Sequence, residues 1–471
     1  MLHHERLARR FGRAMAFFFF AGILAALLMR MELIHPSGWL MQSDTFDKLF
    51  SLHGMLMVYF VLLPAFPALL GLTSLPRLTG RTSFVMPRLN SLAWWSYGAG
   101  ALLIAVAFLT GGVDTGWSFA TPYALVSSPT PVVLAALGVT GSALAVLLLA
   151  VNLMATTHAR VTREPWHQGP LTVTGLYAGA LATLMAAPLL VATMLLLIAE
   201  RAFGLPLFDP AHGGDPSILK QLFWAAATPA VFAVILPACG AMSDLLESVS
   251  GARLPMRRMV AWCLPAVALL SYFLWGRHLM AGAGPAEAGV AALMSHLVAV
   301  PLGVVLLSWM VAAARGGWTA QPASALLRVF IVLLAIGLLT GLPLASPALN
   351  PHLHNSVFVV AHMHLIFVGG ALTALLAIAV QHWPLWTGRI PSPAVLRAAA
   401  WVLLAGVLMT FLPLFRLGYH GLPRRHHMYP AEFNVLQVLA TAGATVLVVA
   451  LVLHAAALFT ARRAASPQHA S

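Results

Sequence analysis

The sequence predicts an all-α polytopic membrane protein: about twelve transmembrane helices in one membrane domain, residues 1–471, with both termini cytoplasmic. Three observations carry that prediction. Sixty per cent of the residues are hydrophobic and only 8% are charged, and the mean hydropathy is +0.88, a composition no water-soluble domain tolerates. Apolar stretches long enough for the hydrocarbon core of a bilayer recur from end to end. Between them, Lys and Arg gather in alternate loops, as the positive-inside rule requires.

Taken in order, the spans are 14–33, 50–72, 92–111, 130–154, 172–199, 221–244, 259–280, 288–313, 325–345, 356–381, 398–416 and 433–459. The first resembles a signal peptide in having a basic start, Arg6, Arg9, Arg10 and Arg13. Arg30 and Glu32 close it, however, and no small-residue cleavage pattern follows, so it reads as a retained anchor. Arg77, Arg81, Arg88, Arg160, Arg163, Arg253, Arg257, Arg258, Arg315, Arg389, Arg397, Arg462 and Arg463 then fall in alternate loops or the C-terminal tail. The opposite loops hold fewer cations and most of the acids, including Asp114, Asp209 and Asp215. The net charge of +13 therefore reflects topology, and no phosphate-cradling or DNA-reading motif points to nucleic acid. Cys239 and Cys263 lie inside predicted spans and supply neither a disulfide framework nor a thiolate metal site. No inverted repeat of the transporter type is evident.

Polar residues at membrane depth cost energy unless they have a partner or a task. His53 opens the second span, His278 lies near the end of the seventh beside Arg277, His296 lies within the eighth, and His362 and His364 sit two apart in the apolar run "AHMHLIFVGG" of the tenth. At about 100° per residue, positions i and i+2 point roughly 200° apart, so the last two cannot chelate one metal. Each serves a different partner on its own side of the helix, or is an independently hydrogen-bonded core residue. A histidine set with few carboxylates suits haem iron or a borderline transition metal and suits Ca²⁺ or Mg²⁺ poorly. On pattern alone, haem binding and scattered packing histidines both stay open.

The order of motifs adds to this. "RMEL" (30–33), "HGMLMVYFVLLP" (53–64), "MPRLNSLAWW" (86–95), "DTGWSFATP" (114–122), "LFDPAHGGDPSILKQLFW" (207–224), "LHNSVFVVAHMH" (353–364) and "FRLGYHGLPRRHHMYP" (415–430) follow one another from Arg30 to the last span. In that order and spacing the chain resembles subunit I of the haem-copper oxidases, the cytochrome c and quinol oxidase family. The resemblance implies two haems on either side of one helix. His53 and His364 match the axial ligands of the low-spin haem, and His362 matches the proximal ligand of the high-spin haem. Arg424 and Arg425 match the pair that holds haem propionates, a task suited to fixed guanidinium groups. Arg30 matches a position beside the ring edge of the low-spin haem; in isolation it also reads as a snorkelling boundary arginine. His354 and Asn355 match a Mg²⁺ site that uses histidine and aspartate, but the acid is here an amide, so Mg²⁺ is not expected. The family further implies partner membrane subunits resembling subunits II and III, cytochrome c or quinol as electron donor, and a bacterial inner membrane as location. Asp209 and Asp215 are docking charges on that reading and turn residues on a simpler one.

The departures from the family pattern concern the copper site and the proton routes. In "FWAAATPAVFAVILPACG" (223–240), Thr228 stands where the family has a copper-ligating histidine, Phe232 where it has the tyrosine joined to that histidine, and Ala230 where it has a proton-relaying glutamate. The family's adjacent histidine pair appears as Arg277 and His278. A guanidinium cannot ligate copper and repels it, and threonine is a poor ligand for it, so copper is not expected. Ser83 replaces an entry aspartate, and Leu302 and Val305 replace a threonine and a lysine of a second channel. The distal pocket thus comprises Arg277, His278, Thr228 and Phe232, with Arg277 as a fixed cation for a bound anion or polarised diatomic, or His278 as a sixth iron ligand. The expected function is a haem-binding, electron-transferring membrane subunit with a copper-free site. The alternatives are a terminal oxygen reductase of aerobic respiration and a structural, regulatory or gas-sensing haem protein; a haem-free transporter-like protein is the remaining class.

Overall fold

The computed structural model describes residues 2–161, 164–319 and 321–463. Arg163, one of the arginines of the charge alternation, lies outside the described residues. Among the described residues, twelve helices are long and apolar enough to cross a membrane: α1 (His3–Glu32), α2 (Ser43–Leu78), α3 (Pro87–Leu109), α4 (Val132–His158), α5 (Leu171–Phe203), α6 (Pro216–Ser250), α7 (Arg257–His278), α8 (Pro285–Ala314), α9 (Ser324–Ala345), α10 (Val357–Thr387), α11 (Pro393–Tyr419) and α12 (Ala431–Phe459). Each contains the core of one predicted span. The chain is an integral membrane protein.

Several helices outrun their apolar windows. Helix α1 begins at His3 rather than near residue 14 and carries Arg6, Arg9, Arg10 and Arg13 on its first turns. Hydropathy marks the part of a helix that suits lipid, whereas backbone hydrogen bonding continues through residues of good helical propensity. The Glu5 carboxylate accepts the Leu2 N–H at 3.2 Å and closes that end.

Helices α3 to α6 pack in succession, α11 packs on α12, and α1 touches both α2 and α12, so the bundle closes on itself. Small residues set the closest approaches, as expected where lipid supplies no hydrophobic drive between helices. At Gly240 of α6, an added Cβ would lie 2.3 Å from the Leu171 carbonyl oxygen and 2.9 Å from the Gly175 Cα of α5. Large apolar side chains such as Leu109 and Val435 point outward, 86% and 77% exposed, where acyl chains replace protein neighbours.

Two histidine-bearing helices change geometry just after their histidines. Helix α2 is π-helical over Leu56–Leu62 and Phe66–Gly71, and α10 over Leu365–Leu372. In α2 the cause is legible. Pro64 has no N–H to give the Phe60 carbonyl, and Tyr97 of α3 donates its hydroxyl there at 2.8 Å instead. The neighbouring Tyr59 carbonyl accepts the Ser142 hydroxyl of α4.

The loops 33–42, 110–131, 346–356 and 420–430 meet in a rim at one end of the bundle. Glu32, fully buried, is its knot. Its carboxylate accepts the Trp39, Leu40 and Met41 N–H groups at 3.1, 2.7 and 3.1 Å and His427 Nε2 at 2.8 Å, while the Tyr429 hydroxyl donates to the Leu33 carbonyl at 2.9 Å. Asp114 accepts hydrogen bonds from Tyr123, from Ser128 at 2.7 Å and from Thr130 at 3.0 Å. Burial pushes its carboxyl up, but these three hydrogen bonds outweigh that and hold it below the ordinary aspartate value.

Candidate functional site

A cavity of about 590 Å³ runs through the bundle beside the rim, lined by side chains from α1, α2 and α6 to α12. His362 and His364 both face it, as do His53, His278, His354 and His426. Most of the remaining lining is apolar, with Ile23, Leu27, Met57, Val58, Phe411 and Leu414 among it. The cations Arg30, Arg277, Arg424 and Arg425 line it, and no aspartate or glutamate does among the described residues.

On the first side, the imidazoles of His53 and His364 are parallel within 2°, their centroids 6.1 Å apart. Each ring is oriented by a backbone carbonyl: His53 Nδ1 lies 2.9 Å from Gly22 O of α1, and His364 Nδ1 lies 2.7 Å from Val360 O, one turn back in α10. Only N–H can donate to a carbonyl, so Nδ1 carries the proton and Nε2 keeps its lone pair. The spacing has a meaning. Two nitrogens each about 2.0 Å from one metal atom, in rings whose centroids lie roughly 1.1 Å further out, are separated by about 6.2 Å from centroid to centroid. Phe411 of α11 lies against the other side of His364, centroids 4.8 Å apart.

On the opposite side of α10, His362 is held by α9. The Thr340 hydroxyl gives its proton to the Gly337 carbonyl at 2.8 Å, so its oxygen accepts from His362 Nδ1–H at 3.1 Å and leaves His362 Nε2 with a lone pair. The same logic, Nδ1 bound and Nε2 available, therefore serves all three histidines. Space matters beside this ring, since a Cβ on Gly341 would lie 3.3 Å from His362 Cε1.

Across the cavity from α10, α6 and α7 build a different wall. The Thr228 hydroxyl donates to Trp224 O at 2.8 Å. His278 stacks flat on the Trp224 indole, centroids 3.8 Å apart and 5° from parallel, and its Nε2 faces Arg277 Nε at 3.4 Å. Phe232 completes this wall. Among the described residues no three His, Cys, Asp or Glu side chains converge as metal ligands.

At the rim, Arg425 has a left-handed backbone, φ 64°, which aims its side chain inward to Asp47 Oδ1 at 2.8 Å and to the Asp114 carbonyl. Arg424 contacts Asn355 through its main chain at 2.9 Å and its side chain at 3.3 Å. Arg30 does not snorkel: its guanidinium turns into the bundle, donating to Gln437 Oε1 at 2.9 Å, Gln437 O at 2.8 Å and Thr441 Oγ1 at 3.0 Å on α12. His354 is buried within the rim. Burial, then the charges of Arg424, Arg277 and Lys220, hold its pKa down to about 3.

The structure thus brings together His53, His364, His362, Arg30, Arg424, Arg425, Arg277, His278, Thr228 and Phe232 around one cavity. It does not bring His296 there. That side chain is exposed on the outer face of α8, and its one partner among the described residues is Ala292 O of its own helix. Asp209 and Asp215 act as turn residues, each capping the helix that follows. Sequence reasoning missed Thr340, Trp224, Asp47, Gln437 and the Gly22 carbonyl. Asp47 lies in the polar run 42–48 but nothing there names its partner, and the roles of all five follow only from which segments the fold makes neighbours.

Comparison with known proteins agrees with this architecture. The family model described as "Cytochrome C and Quinol oxidase polypeptide I" matches residues 6–446. A "Cytochrome c oxidase subunit 1" of Synechocystis sp. is 32% identical over 435 residues, covering 91% of this chain and 78% of the relative. A "Probable quinol oxidase subunit 1" of Staphylococcus aureus is 28% identical, covering 95% and 68%. The fold is shared with a structure described as a heme-copper terminal oxidase dimer, at a TM-score of 0.84 and 17% identity, over 98% of this chain and 84% of that one. With the motifs in order along nearly all of the chain and the histidines arranged about one cavity, the protein belongs to the cytochrome c and quinol oxidase subunit I family.

Proposed function

We propose that this chain is a haem-carrying, electron-transferring membrane subunit of a respiratory assembly whose high-spin site does without copper. The observation that carries the reading is the His53–His364 pair, parallel and at the separation that two axial imidazoles of one iron require. The apolar walls suit a porphyrin face, and Arg424 and Arg425 suit its carboxylate edge. His362, with its Nε2 lone pair free, would hold the iron of a second haem on the far side of α10. When bound, the haem irons supply one-electron redox chemistry. The chain's own contribution is to fix the ring tautomers through Gly22, Val360 and Thr340, to exclude water with apolar side chains, and to hold both sites on one rigid helix.

Copper does not fit the residues present. Of the three positions that match copper ligands, Thr228 has its hydroxyl hydrogen engaged by Trp224 O, Arg277 is a cation, and His278 turns Nε2 toward that cation. Ser83, Leu302 and Val305 offer no ionisable group for proton delivery. On this reading both termini are cytoplasmic in a bacterial inner membrane, and the partners are further membrane subunits with cytochrome c or quinol as donor. Asn355 in place of an acid argues against Mg²⁺ beside His354.

A second reading, terminal oxygen reductase, is favoured by the relatives, which carry the names cytochrome c oxidase and quinol oxidase. Haem and copper content per polypeptide, with the reduced spectrum recorded with and without carbon monoxide, separates the two. Two haems, no copper and a carbon monoxide shift support the proposed function. Stoichiometric copper with oxygen turnover makes the second reading correct.

A further inference from the structure

Of the four arginines that line the cavity, three have identified partners. Arg30 is held by Gln437 and Thr441, Arg425 by Asp47, and Arg424 by Asn355. Arg277 differs. Like Arg30 and Arg424 it has no carboxylate within ion-pair distance among the described residues, but its only hydrogen-bonded partner there is the neutral ring of its own sequence neighbour, His278 Nε2, at a long 3.4 Å. A guanidinium facing an apolar cavity without a counter-charge is costly, and a site that retains one generally supplies an anion from elsewhere.

The neighbourhood has the same sign. With Nε2 accepting from Arg277, His278 carries its proton on Nδ1, and that buried donor has no partner. His354 lies beside it, ring centroids 5.1 Å apart, in the combined field of Arg277, Arg424 and Lys220. The charge of Lys220, on the exposed start of α6, adds to the positive field at His354 and His278, and no aspartate or glutamate lines the cavity among the described residues. Such a field attracts and concentrates anions.

We infer that Arg277 forms an anion site in the cavity wall opposite His362, built to take a small inorganic anion of the azide or nitrite class. The inference rests on the preceding reading in one respect, that His362 carries a haem whose open face turns toward this wall. A haem carboxylate offers the same charge chemistry from a second source, and the experiment separates the two.

Purified haem-containing protein, as wild type, Arg277→Gln and Arg277→Lys, is titrated with azide and with nitrite. The high-spin absorption bands and the unfolding midpoint are followed in parallel. Arg277→Gln is expected to weaken both anions at least tenfold and Arg277→Lys no more than about threefold, with chloride competing in the wild type. Equal affinities in wild type and Arg277→Gln at equal haem content overturn the inference. Loss of the high-spin haem from Arg277→Gln, with both anions still shifting its unfolding midpoint as in the wild type, overturns it too, and assigns the guanidinium to the haem's own carboxylates. Failure of the underlying reading looks different: the wild type itself lacks a high-spin haem. If Arg277→Gln does not accumulate, absence of chloride competition in the wild type overturns the inference.

Discussion

The two sides of α10 follow opposite rules. On the His364 side, each imidazole has a carbonyl partner that fixes one ring nitrogen and frees the other, and the two rings match each other within 2°. On the His362 side one imidazole is prepared in the same way, but the facing wall offers a capped hydroxyl, a phenyl ring and an unpaired cation. A closed, symmetric site suits a carrier that changes only its electron count. An asymmetric site with space and uncompensated charge suits something that enters and leaves. One helix can hold both because its i and i+2 side chains diverge.

The sharpest way to break this comparison is to remove the ligands separately. His53→Ala is expected to abolish the low-spin haem signal, a loss of more than tenfold in that haem per polypeptide, while the high-spin haem stays; His362→Ala does the reverse. Haem extraction and reduced spectra measure both, and loss of both haems in either variant would sink the ligand assignment. A smaller effect tests orientation. Thr340→Val leaves His362 in place but takes away the acceptor of its Nδ1–H, and changes to such supporting partners typically weaken a metal site by about 10- to 100-fold. The high-spin haem should become dissociable by dilution, with the low-spin haem retained. If both haems respond equally, Thr340 is a packing residue.

Restoring the family's ligands sharpens the comparison from the other wall. T228H combined with R277H should give a protein that takes up copper, approaching one atom per chain by metal analysis, because both positions line the same cavity as His278. No uptake in a folded, haem-containing double variant would mean that the backbone of this wall has itself been remodelled.

The smallest effect is pH dependence at the rim. Burial is the main cause that holds His354 at about 3, and His426 at about 4 despite its bond to Pro423 O. In the unfolded chain both take up a proton near 6.5. The unfolded state therefore binds more protons in between, and stability rises with pH there: it is complete above about 6.5 and is lost as the pH falls toward 4 and then 3. The unfolding midpoint in detergent should drop between pH 7 and 5, and His426→Gln should flatten that slope. An unchanged slope would place the titrating groups elsewhere.

Much of this was legible in the sequence because lipid imposes simple rules. Twelve apolar windows give twelve helices among the described residues, and of the five histidines singled out at membrane depth, His53, His278, His362 and His364 mark the cavity, with His296 as the exception among them. That residue follows the same cost argument but faces outward, since depth can be read from hydropathy whereas azimuth cannot. The start of α1 and both ends of α2 lie outside the predicted spans for a related reason: hydropathy ends before the backbone hydrogen bonds do. Gln437 stayed hidden because it acts across the interface between α12 and α1, Asp47 because its partner Arg425 sits in a loop 378 residues along the chain, and Thr340 because its contact depends on how α9 and α10 face each other. His278 is the most instructive case. Its letter suggests a ligand, while its stacking on Trp224, 54 positions upstream, depends on a 3₁₀ stretch, Tyr272–His278, that no hydrophobic pattern announces.

The wide turns of α10 have a consequence beyond the site. Each i→i+5 ring encloses one residue more than an α-turn, and one residue corresponds to about 100° of helix azimuth. Leu365–Leu372 therefore works as a phase adjuster within a single rod. The half that carries His362 and His364 and the half from Thr373 to Thr387, which packs against α6 and α9, can each face the neighbours it needs. Chemistry at one end of the rod is thereby decoupled from assembly at the other.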